Sequence, residues 1–315
     1  MTALSILLAL AAAFAIAAGF YPALALGARS RATCALLFGI GIAMTPLLIP
    51  AEARFARLVV ACVAACYVLK LIDLHIGALR GQRVDFRSFL AFLGNPLQLV
   101  QRRTGCERQP TARENRRDWL RSLAGLVLAL ALLRWGGTID WSVWPFLLEH
   151  TVRAGAFFLM VLFLFQQLAA LMRMMGAYTI NPENRPLRSR TPAEFWRRYN
   201  RWIGQFLEED VFKPLGGRRH PVRVTMVVFA LSGLGHEYIF YIATGKVQGY
   251  QMAFFLLQGL AVVMTLRVKP KGVAALAWGG GTWAFNLLSS VLFFASLQGV
   301  GPIYPTGLPA WFPAW

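Results

Sequence analysis

The chain has 315 residues, of which 57% are hydrophobic, 13% aromatic and only 15% charged, with a mean hydropathy of +0.53. Soluble domains carry about 25% charged residues, so this composition excludes a disordered chain and argues against a soluble globule; four Cys in this length exclude a disulfide scaffold. The 32 Lys+Arg against 14 Asp+Glu give a net charge of +18, and because the basic residues lie between apolar stretches they point to topology and anionic membrane lipids rather than to nucleic acid.

Apolar stretches near the ~20 residues needed to cross a bilayer predict eight membrane helices. They fall at 3–27, 32–50, 56–79, 119–135, 153–175, 222–243, 249–266 and 273–297. The first is too long for a signal peptide, has no basic residue before it, and is followed by Arg29 and Arg31. It reads as a retained helix. Cys62 and Cys66 lie one turn apart in the third span and read as small packing residues. His75 lies near that span's end with Lys70 and Asp73, at the interface. His150 and His220 fall in predicted loops. The Gly279-Gly280-Gly281 run in the last span suggests close helix packing or a kink.

Two polar segments set the orientation. Residues 80–121 hold ten Arg and four acids, and residues 173–223 hold eleven basic residues and five acids. Both should face the cytoplasm. Segment 136–152, with only Asp140 and Glu149, should face outward, as should both termini; Arg54 and Arg57 run mildly against this arrangement. Residues 84–100 are too short to span and read as an interfacial or re-entrant piece. No internal repeat supports an inverted-repeat transporter. The expected architecture is all-α: one membrane-embedded domain over 1–315, with its motif region at 181–243. The short loops suggest a bacterial inner membrane, with an endoplasmic-reticulum membrane as the alternative.

Thr191-Pro192 predicts a helix start, with the cap followed by Pro at the first helical position. Continued at 100° per residue, Phe195, Trp196, Tyr199, Trp202, Ile203, Phe206 and Leu207 share one face. Arg197, Arg198 and Arg201 share the other. Asn200 falls at the border, turned partly towards the apolar side. Taken alone, it could be an ordinary interfacial amide. The cationic back could hold lipid headgroups or a phosphate-rich ligand such as coenzyme A.

His236 lies 14 residues into the span that starts near 222, about 21 Å along it. An imidazole at that depth needs a partner or a water-filled cavity, and Glu237 beside it sharpens the demand. Ser232 and Gly233, on the same face, leave room beside the ring. A His–Glu pair could serve as interhelical glue, but an intramembrane ionisable group is first a candidate functional site. A neutral imidazole can accept a proton from an alcohol. The sequence has no Gly-x-Ser-x-Gly elbow and no HExxH motif.

These residues carry a family resemblance. The stretches EFWRRYNRWIGQFLEEDVFKPLGG (194–217) and FALSGLGHEYIFY (229–241) resemble the membrane-bound O-acyltransferase family, in particular its wax-synthase-like branch. Members carry a Phe-Trp…Trp-Asn motif ending in Val-Tyr-x-Pro, then Ser-Gly-x-x-His-Glu. Here these read Phe195-Trp196, Tyr199-Asn200, Val211-Phe212-Lys213-Pro214, Ser232-Gly233 and His236-Glu237. Tyr199 replaces Trp and Phe212 replaces Tyr, so both swaps keep an aromatic ring. The match covers about 50 residues, and the chain is short for the family.

The resemblance implies a membrane core with a tunnel, His236 as catalytic base and Asn200 as its companion. It implies acyl-CoA as co-substrate, a lipophilic alcohol as acceptor, and neither a metal nor another cofactor. Trp196, Arg197, Arg198, Tyr199, Arg201, Lys213, Ser232, Gly233 and Glu237 are then candidate substrate-binding residues. A sterol, glycerolipid, carotenoid or other hydroxylated acceptor is the alternative within the same chemistry. A proton-coupled lipid transporter is the alternative outside it.

Overall fold

The structure, a computed structural model, describes residues 2–310 and residue 312. It is helical, with no strand among the described residues. The main helices are α1 (Thr2–Gly19), α2 (Ala28–Met44), α3 (Arg54–Leu79), α4 (Phe86–Gly94), α5 (Ala112–Gly136), α6 (Phe146–Met174), α7 (Pro192–Arg198), α8 (Arg201–Phe206), α9 (Pro221–Thr244), α10 (Tyr250–Thr265) and α11 (Gly272–Val300). A π-helical turn, Leu207–Phe212, follows α8.

Among the described residues, seven helical segments are long and apolar enough to cross a membrane, against the eight expected. The eighth, α10, has 16 residues, or about 24 Å, short of the ~30 Å hydrocarbon core. Two other predicted boundaries also move. Helix α5 begins seven residues before its expected start of 119, because a capping box opens it. Thr111 Oγ1 accepts from the Glu114 amide at 3.3 Å, and the Thr111 amide donates to the Glu114 carboxylate at 2.8 Å. Helix α6 begins at Phe146, directly after Pro145, so Glu149 and His150 lie in its first two turns and not in a loop.

The described residues form two compact, interleaved units. The first comprises residues up to Arg108, Trp202–Val224 and Gly235–Val247. Its core is built on α1, where Ala9, Ala13 and Ala17 recur every fourth residue and are fully buried. Small side chains on one stripe let helices approach closely without a hydrophobic drive from water. Phe20, Ile42, Ala64, Leu71 and Phe89 fill the rest, while Leu4, Leu7 and Leu8 on the other face of α1 are exposed, as a lipid-facing surface requires.

Helix α4 is capped by Asp85, whose carboxylate accepts from the Ser88 amide at 3.0 Å. Its carbonyl end is closed by Lys70 from α3. The Lys70 ammonium donates to the carbonyl oxygens of Phe92, Leu93 and Asn95 at 2.6, 3.0 and 2.6 Å. A cation at a helix C-terminus meets both the unpaired carbonyls and the negative end of the dipole. Lys70 and Asp73 are therefore buried in the unit. His75 is half-buried, and its Nδ1 accepts from the Arg31 guanidinium at 3.3 Å.

The second unit comprises Gln109–Arg201, Thr225–Leu234 and Gln248 onward. Helices α5 and α6 pair closely because Gly125 presents no side chain to Phe163. A Cβ there would lie 2.5 Å from the ring. Ser122 donates to Gln167 at 2.6 Å, and Asn115 donates to the Ala170 carbonyl at 3.0 Å. His150 is fully buried. Its Nε2 lies 2.9 Å from the Leu287 carbonyl, to which it donates, so Nδ1 accepts from the Tyr304 hydroxyl at 2.6 Å. This imidazole is thus saturated by partners on α11 and on the segment after it. The Gly279–Gly281 run lies inside α11 without interrupting it, and a Cβ at Gly280 or Gly281 would meet nothing within 4 Å. The close packing expected there is absent at those two positions.

Candidate functional site

The candidate residues divide between the two units. Trp196, Arg197, Arg198, Tyr199, Asn200, Arg201, Ser232 and Gly233 belong to the second, and Lys213, His236 and Glu237 to the first.

In the second unit, Thr191 caps α7 by accepting from the Glu194 amide at 3.1 Å, with Pro192 at the first helical position, as the sequence predicts. The single amphipathic helix expected over 195–207 does not form. Helix α7 ends at Arg198, and Asn200 has φ +48°, in the left-handed region. Such a conformation costs about 1–2 kcal/mol in most L-residues and is best tolerated by Asn and Asp after Gly. The chain restarts as α8 and then widens into the π-turn, a form found often at functional sites. The uninterrupted 100° wheel therefore does not set the facing of residues after Arg198.

The aromatic residues around this break are packed against one another. Tyr199 stacks on Phe195 at 5.3 Å, and Phe158 lies 5.6 Å from Tyr199. Trp196 meets Phe229 edge to face at 5.4 Å. Its indole donates to Gln258 at 2.9 Å, and Gln258 donates to Ser289 at 2.8 Å. The Asn200 carboxamide oxygen is buried and accepts no hydrogen bond within the protein. A buried acceptor left open is costly unless something else completes it.

The basic residues are differently placed. Arg198 pairs with Glu194, and Arg201 donates to the Asn181 carbonyl at 3.1 Å. Lys213 pairs with Glu209 at 2.6 Å. Arg197 is exposed.

Helix α9 starts with Pro221 at its first turn and stops at Gly245, whose φ of +72° supplies the left-handed cap. His236 is half-buried and Glu237 buried. Two residues on, the Tyr238 hydroxyl donates to the Ala43 carbonyl at 2.7 Å and ties the end of α9 to α2. Ser232 donates back to the Val228 carbonyl at 2.9 Å. Gly233 does not open space beside a ring. A Cβ there would meet Met252 of α10 at 3.0–3.4 Å, so the missing side chain serves close helix packing. Gly259 of α10 does the same against Phe229.

Glu183, which lies outside both motifs and was not among the candidates, joins this group. Both of its carboxylate oxygens face the Asn200 amide, at 3.3 and 3.2 Å. Burial pushes its carboxyl up to about 8, against the pull of the Asn200 amide and the Arg201 guanidinium. Burial, and then the nearby Glu183 carboxylate, push the Tyr199 hydroxyl up as well. Among the described residues, no three His, Cys, Asp or Glu side chains group as a metal site. An apolar cavity of about 310 Å³, walled by Leu147, Leu257, Phe285, Leu288 and Leu292, lies in the second unit, and none of the candidate residues lines it.

The sequence model of the membrane-bound O-acyltransferase family matches residues 113–297, more than half of the chain. The chain belongs to the membrane-bound O-acyltransferase family. The matched span runs from the first turn of α5 into α11 and contains Asn200 and His236. No curated protein sequence matches the chain. Family membership and the seven apolar helices make this an integral, multi-pass membrane O-acyltransferase, acting on an acyl donor and a lipid acceptor.

Proposed function

We propose that the protein transfers a fatty acyl group from acyl-CoA to the hydroxyl of a lipophilic alcohol, with a long-chain alcohol as the preferred acceptor, as in the wax-synthase-like branch. The observation that carries this reading is the pairing of two ordered motifs, Phe195-Trp196 with Asn200 and Ser232-Gly233 with His236-Glu237, inside the family match. His236 accepts the hydroxyl proton as the alcohol oxygen attacks the thioester carbonyl. A C–O bond forms and the oxyanion develops. The C–S bond then breaks, and the imidazolium returns the proton to the leaving thiolate, giving an ester and free coenzyme A. This chemistry calls for no resident metal or cofactor. Asn200 orients the donor or stabilises the oxyanion. Arg197 and the other basic residues on this stretch attract the coenzyme A phosphates or lipid headgroups.

The test offers the purified protein labelled acyl-CoA with a panel of alcohols and reads the products by mass spectrometry. Esters of long-chain alcohols are the expected product. A preference for sterols, glycerolipids or carotenoids would replace the acceptor, and proton-coupled flux without thiol release would replace the chemistry. In the same assay, Asn200→Ala is expected to lower turnover by about 10²–10³-fold, the usual loss on removing an oxyanion donor. An unchanged rate would leave Asn200 an ordinary buried amide.

A further inference from the structure

The left-handed backbone at Asn200 does not hold itself. Residues Asn181–Asn184, upstream of α7, lie against it and supply a set of hydrogen bonds. The Arg201 amide donates to the Pro182 carbonyl at 2.8 Å, and the Asn184 amide donates to the Arg198 carbonyl at 2.8 Å. Between these two, the Asn200 amide donates to the Glu183 carboxylate. The Arg201 guanidinium adds a bond to the Asn181 carbonyl at 3.1 Å. The clamp is itself anchored. Arg173 at the end of α6 donates to the Asn181 side chain at 3.0 Å and to Asn115 of α5 at 2.7 Å. All of these residues belong to the second unit.

We infer that Glu183 is a positioning residue: its carboxylate, presented by the Asn181–Asn184 clamp, holds the backbone amide of Asn200 and fixes the left-handed turn that aims the Asn200 carboxamide. This rests on the proposed role of Asn200 in acyl transfer. A helix end left to itself would let residues 199–201 relax towards ordinary φ values, because a single strained residue persists only where its surroundings over-determine it. Two backbone carbonyl contacts fix the neighbours of Asn200. The Asn200 amide has no carbonyl partner and depends on the side chain of Glu183.

The experiment combines exchange with kinetics on the full-length protein. In Glu183→Ala, amide hydrogen exchange in a peptide covering 196–206 is expected to rise about tenfold, as for loss of one buried hydrogen bond. Glu183→Gln keeps an acceptor at the same reach and should exchange within about twofold of wild type. In acyl transfer, Glu183→Ala should lower kcat by about tenfold while KM for acyl-CoA stays within about twofold, and Glu183→Gln should restore kcat. On an Asn200→Ala background, Glu183→Ala should cost nothing more. Unchanged exchange, or an equal cost with and without the Asn200 side chain, overturns the inference. Should Glu183→Ala not accumulate folded, Glu183→Asp, one methylene short, is expected to lose protection where Glu183→Gln keeps it. A wild-type protein that transfers no acyl group would remove the functional reading, while the exchange measurement still decides whether Glu183 holds the turn.

Discussion

His236→Ala is expected to reduce coenzyme A release by about 10²–10⁴-fold, the range a positioned general base contributes. No other residue among the candidates combines a titratable group active near neutral pH with a place deep in an apolar helix. Glu237 is a carboxylate, and the remaining candidates are cationic, aromatic, amide, hydroxyl or glycine. His236→Gln is expected to be as inactive as the Ala variant, because an amide of similar reach cannot accept the hydroxyl proton. Helix α9 should survive either change. Its start is set by Pro221, its end by Gly245, and its attachment to α2 by Tyr238. Retention of wild-type turnover in folded His236→Ala protein would remove His236 from the role of base.

Arg102→Met is expected to destabilise the protein by about 3–5 kcal/mol, seen as a fall of about 10 °C in the melting temperature of the detergent-solubilised protein. In the first unit the Arg102 guanidinium lies between two buried carboxylates. It meets Asp73 of α3 at 3.0 Å and Asp210 of the π-turn in a short contact. It also donates to the Asp73 carbonyl at 3.1 Å, while the Gln101 amide donates to the Asp73 carboxylate at 2.8 Å. Removal of the cation leaves two buried carboxyl groups facing each other with no counter-charge. That costs far more than an exposed ion pair ever contributes. The π-turn would lose one of its tethers with it, leaving the Arg103–Glu209 pair, and Asp210 sits one residue before the Val211-Phe212-Lys213-Pro214 motif. Adding Asp73→Asn and Asp210→Asn to the Arg102→Met chain should recover most of the loss. A single variant as stable as wild type would show that the cluster contributes little.

What the sequence made legible follows from the range of each signal. Apolar length is local, so seven of the eight expected spans have the length and hydropathy to cross. The motif residues were visible for the same reason, since each motif is contiguous. Tertiary pairings were not. The roles of Lys70 and Asp73 were hidden because hydropathy registers their charge but not the α4 carbonyls or the arginine 29 residues away that receive them. His150 looked like a loop residue because the hydrogen-bond partners that let it be buried, the Leu287 carbonyl on α11 and the Tyr304 hydroxyl, lie far along the chain. The break at Asn200 was hidden because Trp and Arg spacing continues to suggest a helix across it. Two further signals stood in the sequence. Thr111-x-x-Glu114 spelled the capping box that opens α5, and Asn181-Pro182, legible as a helix break, carries beside it the Glu183 carboxylate that meets the motif at Asn200.

The central claim is that an alcohol oxygen, freed of its proton by His236, takes the acyl group directly from a thioester. The most direct measurement gives the purified protein acyl-CoA and an alcohol labelled with heavy oxygen, and follows ester and free thiol together by mass spectrometry. The account predicts ester carrying the label, formed mole for mole with coenzyme A by wild type and not by His236→Ala. Ester formed at the wild-type rate by the variant, or coenzyme A released without any labelled ester, would contradict it.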